Sequence, residues 1–201
     1  MAALILLLAV AVVAGHRILV LQSRIRALER QAITDPLTGT FNRRHMHDVL
    51  LTAVERYRRS GDHASLLLID IDRFKALNDA SGHGEGDRVL QRTAALLGQR
   101  LRRVDALFRL GGDEFVVLLS GAWLSDARAV AEQLRGAVER ANLGRLRPVS
   151  ISIGVAELEY EESAAEWLAA ADRALYEAKH SGRNRVAVRV VRIATTRRRV
   201  V

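Results

Sequence analysis

The stretch Ala106-Leu107-Phe108-Arg109-Leu110-Gly111-Gly112-Asp113-Glu114-Phe115-Val116-Val117-Leu118-Leu119 decides the fold. Its apolar arms, Ala106 to Leu110 and Phe115 to Leu119, are too short for helices and read as strands. Gly111-Gly112 between them supplies the positive φ values of a tight hairpin, so the arms pair antiparallel. On the N-terminal side, Ser65 to Ile71 reads as a third, buried strand that ends at Asp72. A short helix from Arg73 and a longer one from Glu85 to Leu101 separate that strand from the hairpin, with Leu90, Ala94, Leu97 and Leu101 lining one face of the second. Further out lie a helix from Arg44 to about Tyr57, a helix from Ser125 to Ala141, a strand from Val149 to Ala156, a helix from Ser163 to His180 and a strand from Arg185 to Val190. The order predicts an α+β domain with a palm-like, largely antiparallel sheet flanked by helices.

With 201 residues, 49% of them hydrophobic, the chain has material for one domain and a short appendage. The absence of cysteine excludes disulfides, thiolate metal sites and cysteine nucleophiles, so any metal must sit on oxygen or imidazole. A net charge of +8 suits a phosphate-rich ligand, nucleic acid or an anionic membrane. An aromatic content of 4% leaves few rings for base stacking and argues against nucleic acid. Much of the basic excess falls outside the predicted domain, on Arg17, Arg24, Arg26 and Arg30 and on Arg192, Arg197, Arg198 and Arg199 of a tail over 192–201.

The run from Ala2 to Gly15 carries no charge. A helix continued to Leu21 would be about 31 Å long, enough to cross a bilayer with Arg17 snorkelling to the headgroups. The expectation is a transmembrane helix over 1–21; the competing cleaved signal peptide lacks its basic start. Because the arginines follow the run, the predicted localisation is the inner (cytoplasmic) membrane, single-pass, with the domain in the cytoplasm. Ile18, Leu21, Ile25, Leu28 and Ala32 then form a seam at alternating spacings of three and four, read as a short coiled coil over 22–33 or as a surface helix docked on its own domain. Thr34-Asp35-Pro36 opens the domain proper, 34–191, as a turn or helix start.

Asp70 closes the buried strand, and Asp113 and Glu114 follow the hairpin turn, so neighbouring strands would bring the three carboxylates together. With a main-chain carbonyl such as that of Ile71 they form a hard oxygen site suited to Mg²⁺, completed by phosphate oxygens. Asp72, Arg73, Phe74 and Lys75 open the next helix, directing N–H groups and an ammonium at the same phosphates. The alternative is that Asp70 and Asp72 merely cap that helix.

Together these residues resemble the GGDEF-domain diguanylate cyclases, which join two GTP molecules into cyclic di-GMP. The name motif stands as Arg109-Leu110-Gly111-Gly112-Asp113-Glu114-Phe115. The family's other blocks appear in order as Asp35-Pro36-Leu37-Thr38-Gly39 with Asn42-Arg43-Arg44, Asp70-Ile71-Asp72-Arg73-Phe74-Lys75 with Asn78-Asp79, and Gly82-His83 with Gly86-Asp87. The last block is Ala171-Asp172-Arg173-Ala174-Leu175-Tyr176 with Ala178-Lys179 and Gly182-Arg183-Asn184-Arg185, preceded by Ser152-Ile153-Gly154-Val155-Ala156. Thr40 stands where the family usually has Leu. The implied fold is the ferredoxin-like palm of nucleotide cyclases.

The resemblance implies that Asp70, the carbonyl of Ile71 and Asp113 hold Mg²⁺ (or Mn²⁺), and that Asp113 is the general base. It implies that Asn78 and Asp87 read the guanine edge, and that Lys75, Lys179 and Arg183, with the N–H of Phe74, hold the β- and γ-phosphates. Lys75 and Lys179 are the chain's two lysines, and both fall on motif positions. One domain holds one GTP, so a homodimer is implied, and the seam would raise the effective concentration of one face near the other. Arg102 and Asp105 match the family's product-binding Arg-x-x-Asp site and imply inhibition by cyclic di-GMP; a surface ion pair is the plain alternative. A catalytically silent receptor for cyclic di-GMP or GTP would be favoured by a degenerate name motif, and the motif is intact. A basic nucleic-acid-binding protein is the other alternative, resting on the charge alone.

Overall fold

The computed structural model describes residues 33–144 and 147–189, together with residues 16, 17, 19 and 21. The strands are β1 (Phe41–Asn42), β2 (Ala64–Ile71), β3 (Ala106–Gly111), β4 (Glu114–Ser120), β5 (Ile151–Glu157) and β6 (Val186–Val188). The helices are α1 (Arg43–Ser60), α2 (Phe74–Ser81), α3 (His83–Gly98), α4 (Leu124–Ala141) and α5 (Ala164–His180). One six-stranded sheet results, in the order β1-β3-β4-β2-β5-β6.

Side-chain alternation along β2 organises everything else. Leu67, Ile69 and Ile71 point into a core shared with Val89, Leu90, Ala94 and Leu97 of α3 and Ala127, Ala131, Leu134 and Val138 of α4. Leu66 and Leu68 point the other way, into a core shared with Met46, Leu50 and Val54 of α1 and Trp167, Ala170, Ala171 and Leu175 of α5. With helices on both faces, β2 is buried throughout, which is why it is continuously apolar from Leu66 to Ile69. Asp70 shares the parity of Leu66 and Leu68 and so faces the α5 side.

The helix ends follow local chemistry. Asn42 caps α1 by accepting from the His45 N–H at 3.0 Å, and Gly61 ends it at φ 71°. Ser163 and Glu166 form a reciprocal capping box at the start of α5. Small residues on the α5 face of β5 let that helix approach closely. A Cβ on Gly154 would lie 2.2 Å from both the Ala171 carbonyl oxygen and the Leu175 nitrogen, so the glycine fixes the helix-to-sheet distance and the reach of Lys179.

Two expectations are corrected. The sheet is mixed rather than largely antiparallel: β2 pairs antiparallel with β4 and β5, and β3 with β4, but β1 runs parallel to β3 and β6 parallel to β5. The reason for β6 is the α5 crossover, which returns the chain to the same end of the sheet before the next strand begins. The second correction concerns the membrane. Among the described residues no helix is long and apolar enough to cross one, because α1 to α5 are amphipathic and keep charges along their outer faces. The transmembrane helix expected over 1–21 lies almost wholly outside the described residues, and with no spanning helix among the described residues the single-pass inner-membrane localisation and the membrane partner are withdrawn. The seam over 22–33 and the tail over 192–201 also lie outside the described residues.

Candidate active site

The hairpin places its carboxylates as its sequence predicts, with one shift. Gly111 at φ 141° ends β3, a register irregularity follows Arg109, and the turn itself is Gly112 (φ 52°) and Asp113. Glu114 therefore starts β4 directly opposite Asp70, and the Ile71 N–H donates to the Asp113 carbonyl at 3.3 Å. Arg109 stiffens the turn. Its guanidinium donates to the Gly112 carbonyl at 2.7 Å and to both carboxylate oxygens of Asp35 at 3.1 and 3.2 Å. Burial raises the Asp35 pKa, but the hydroxyl and backbone N–H of Thr38 and the charge of Arg109 outweigh it and hold the carboxyl below its ordinary value. Thr34-Asp35-Pro36 is thus a turn that braces the hairpin.

Asp70 is 7% exposed, and Lys179 reaches it from the end of α5, Nζ to Oδ2 at 2.6 Å. Burial pushes the Asp70 carboxyl up to about 6; the charges of Asp113 and Glu114 push the same way, and the Lys179 ammonium pulls against them. Three carboxylates share one end of two central strands, and a divalent cation is what such a donor set suits. The fit is chemical: burial and then the neighbouring like charges raise Asp70, and the Lys179 ammonium already answers part of that field. Among the described residues no group of three His, Cys, Asp or Glu side chains is drawn into ready metal-binding geometry.

Asn78 on α2 lies against Gly86 of α3, and a Cβ on Gly86 would meet Asn78 Oδ1 at 1.9 Å. That oxygen is buried without a hydrogen-bond partner, an acceptor available to a ligand. Asp87 follows on α3 and is exposed, as are Lys75 on α2 and Arg183 in the turn after α5. Phe74 is the first residue of α2, whose N-cap Arg73 makes no side-chain cap, so neither Asp70 nor Asp72 caps that helix. The structure thus joins Asp70, Ile71, Asp113, Glu114 and Lys179 directly and sets Asn78 beside Gly86 and Asp87.

Arg102 and Asp105 lie apart from this cluster, ahead of β3. Their contact is a closed turn rather than an ion pair: the Arg102 N–H donates to Asp105 Oδ2 at 2.9 Å, and the Asp105 N–H donates to the Arg102 carbonyl at 3.0 Å. The Arg102 side chain is exposed and has no ion pair among the described residues. His83 opens α3, and His45 and His47 lie on α1.

The sequence reading missed the Arg109 clamp on Asp35. It also missed the engagement of Asp72 with Ser150, Ser152 and Asn184, which joins residues 78 to 112 positions apart. The recurrence of Asp at 70 and 72 was the available signal, but spacing alone does not separate a ligand from a brace.

The chain belongs to the GGDEF diguanylate cyclase family: the profile described as "Diguanylate cyclase, GGDEF domain" matches residues 32–185. It is 42% identical over 159 residues to diguanylate cyclase DgcM of Escherichia coli, covering 79% of this chain and 39% of that one. It is 44% identical over 161 residues to the response regulator PleD of Caulobacter vibrioides, covering 77% and 36%. The chain therefore spans about two fifths of the length of these relatives. Among solved structures, the coiled coil and GGDEF domain of DgcB from Caulobacter crescentus, in complex with c-di-GMP, superposes with a TM-score of 0.82 at 30% identity, covering 90% of this chain and 98% of that one. Diguanylate cyclase SiaD of Pseudomonas aeruginosa, in complex with its activator SiaC, superposes with a TM-score of 0.77 at 36% identity, covering 90% and 71%.

Proposed function

We propose that this chain is a diguanylate cyclase that condenses two GTP molecules into cyclic di-GMP and two pyrophosphates. The observation that supports it most is the meeting of Asp70, Asp113 and Glu114 at the hairpin end of the sheet, with Lys179 against Asp70. In each half-reaction a ribose 3′-oxygen bonds to the α-phosphorus of a second GTP, the α–β anhydride bond breaks and pyrophosphate leaves. Asp113 takes the hydroxyl proton. Asp70, the Ile71 carbonyl and Asp113 would hold a divalent cation, Mg²⁺ or Mn²⁺, which neutralises charge at the α-phosphate when bound. Lys75, Lys179, Arg183 and the Phe74 N–H hold the β- and γ-phosphates. Asn78 and Asp87 read guanine: the Asp87 carboxylate accepts from N1–H and the exocyclic amine, a pair of donors that adenine lacks.

Both bonds form when two domains face each other, so the active species is a homodimer. Residues 34–191 form the catalytic unit, and the 22–33 seam is the proposed means of pairing. Cyclic di-GMP binds at Arg102 and Asp105 and lowers turnover from outside the substrate cleft. Incubation of the protein with GTP and Mg²⁺, followed by nucleotide analysis, tests the proposal. Cyclic di-GMP with twice its amount of pyrophosphate is the expected result; GTP left intact overturns it.

A further inference from the structure

The Asp72 carboxylate, two residues beyond Asp70 and on the same side of the strand, is saturated by the protein itself. It accepts from the Ser152 hydroxyl at 2.7 Å on one oxygen, and from the Ser150 hydroxyl at 2.7 Å and the Asn184 N–H at 3.0 Å on the other. Its own N–H donates to the Ser150 carbonyl at 2.9 Å. One side chain thereby gathers the end of β2, the start of β5 and the turn that follows α5.

That turn needs holding. Arg183 at φ 61° and Asn184 at φ 46° are successive residues in the left-handed region, which asparagine enters readily but which is uncommon for arginine and for two such residues in a row. The Arg183 N–H bonds back to the Ala178 carbonyl at 3.1 Å, which ties the turn to its own helix. The Asn184 side chain donates to Glu139 at 2.7 Å and accepts from Arg135 at 3.0 Å, which ties it to α4. The Ile153 N–H donates to the Arg185 carbonyl at 2.9 Å, which ties the turn's end to β5, and Asp72 supplies the tie from the strand that carries Asp70 to Asn184.

We infer that Asp72 is a positioning residue: its carboxylate fastens the 182–185 turn so that Arg183 is presented to the polyphosphate of the nucleotide. This rests on the reading of the site as a GTP site. A carboxylate already accepting three donors has little capacity left for a cation, so the role is distinct from that of Asp70. The two roles also differ in what an amide can replace. Hydroxyls both donate and accept, so an Asn at 72 can keep its oxygen on the Asn184 N–H while its NH₂ donates to a serine.

The test compares equilibrium binding of guanosine with that of a GTP analogue carrying a methylene bridge between its α- and β-phosphorus. Asp72→Ala is expected to weaken the analogue at least about tenfold and leave guanosine unchanged, because one phosphate-holding charge-assisted contact is misplaced while the guanine-reading residues lie elsewhere. Asp72→Asn is expected to recover most of the analogue affinity. Amide exchange at Asn184, slow in the wild type, should be fast in Asp72→Ala and slow again in Asp72→Asn. If Asp72→Ala does not fold, the Ser150→Ala, Ser152→Ala double variant carries the comparison, with a smaller loss confined to the analogue. Equal losses for both ligands, or Asp72→Ala binding like wild type, overturn the inference alone. A wild type that binds neither ligand overturns the reading of the site, and the inference with it.

Discussion

The two ends of β2 are built on opposite electrostatic terms. At the end near Ala64, polar groups are matched: the Ser65 hydroxyl donates to the Ala122 carbonyl at 3.0 Å, and the Gly121 N–H to the His63 carbonyl at 2.7 Å. His63 lies against Trp123, ring planes tilted by 31° and centroids 3.4 Å apart, and bonds Glu157 at 3.1 Å, while the other oxygen of Glu157 takes the Leu124 N–H at 2.8 Å and so caps α4. At the Asp70 end burial, with the like charges of Asp113 and Glu114 adding to it, drives one carboxyl up to about 6. The matched end contributes stability. The mismatched end stores unfavourable electrostatics that a bound cation and phosphates would relieve, so changes at the two ends should separate activity from stability.

The largest separation is expected at Asp113. Asp113→Ala should lower the initial rate of pyrophosphate release from GTP by at least about a thousandfold, in the range of losing a general base. It should not lower the thermal midpoint, because it removes a like charge from beside Asp70; a clear fall in the midpoint would place Asp113 among the stabilising groups instead. Next comes Asp87→Ser, which should narrow the preference for GTP over ATP by roughly tenfold or more in kcat/KM, since the carboxylate that adenine leaves unpaired is gone. Unchanged discrimination moves guanine reading to another residue.

Asp35 sharpens the comparison because it is a matched pair serving the mismatched end. Asp35→Asn should cost about 1–2 kcal/mol at neutral pH through its hydrogen bonds from Thr38 and Arg109. Its folded pKa lies below the ordinary 3.8, so the contribution is complete above that value and is lost as pH falls through the folded pKa. Denaturant titrations should show the two proteins converging in acid; a difference that persists there would mean Asp35 acts by shape rather than charge. Glu157→Ala, at the matched end, should cost about 1 kcal/mol by uncapping α4 and leave kcat within about twofold. A large loss of activity would couple the two ends. Arg102→Ala should show its effect only when product is added, relieving inhibition by cyclic di-GMP while keeping the initial rate within about threefold. Inhibition that persists unchanged would make Arg102 an ordinary surface arginine.

The fold was legible where pattern is local. The apolar run of β2, the glycine turn before Asp113 and the helical spacing of α3, α4 and α5 each carry their signal within one element. β1 was missed because two residues, Phe41 and Asn42, leave no periodicity to read. The parallel pairings were missed because an order of elements does not state direction. At the site, Asp70, Asp113 and Glu114 were legible from their places at a strand end and a turn. The joint between Asn78 and Gly86 was not, since it depends on how α2 and α3 pack.

The sequence by itself determined the longer elements and the family, because strand alternation, helix periodicity, capping and turn chemistry act over a few neighbouring residues. Only the tertiary structure decided which partners each carboxylate meets. Asp70 and Asp72 are the same residue type two positions apart, yet one is buried within the field of Asp113 and Glu114 with Lys179 beside it, and the other is saturated by Ser150, Ser152 and Asn184. Their partners arrive from strands, turns and a helix up to 112 positions away, and a charge is set by what surrounds it in space rather than by what adjoins it in the chain.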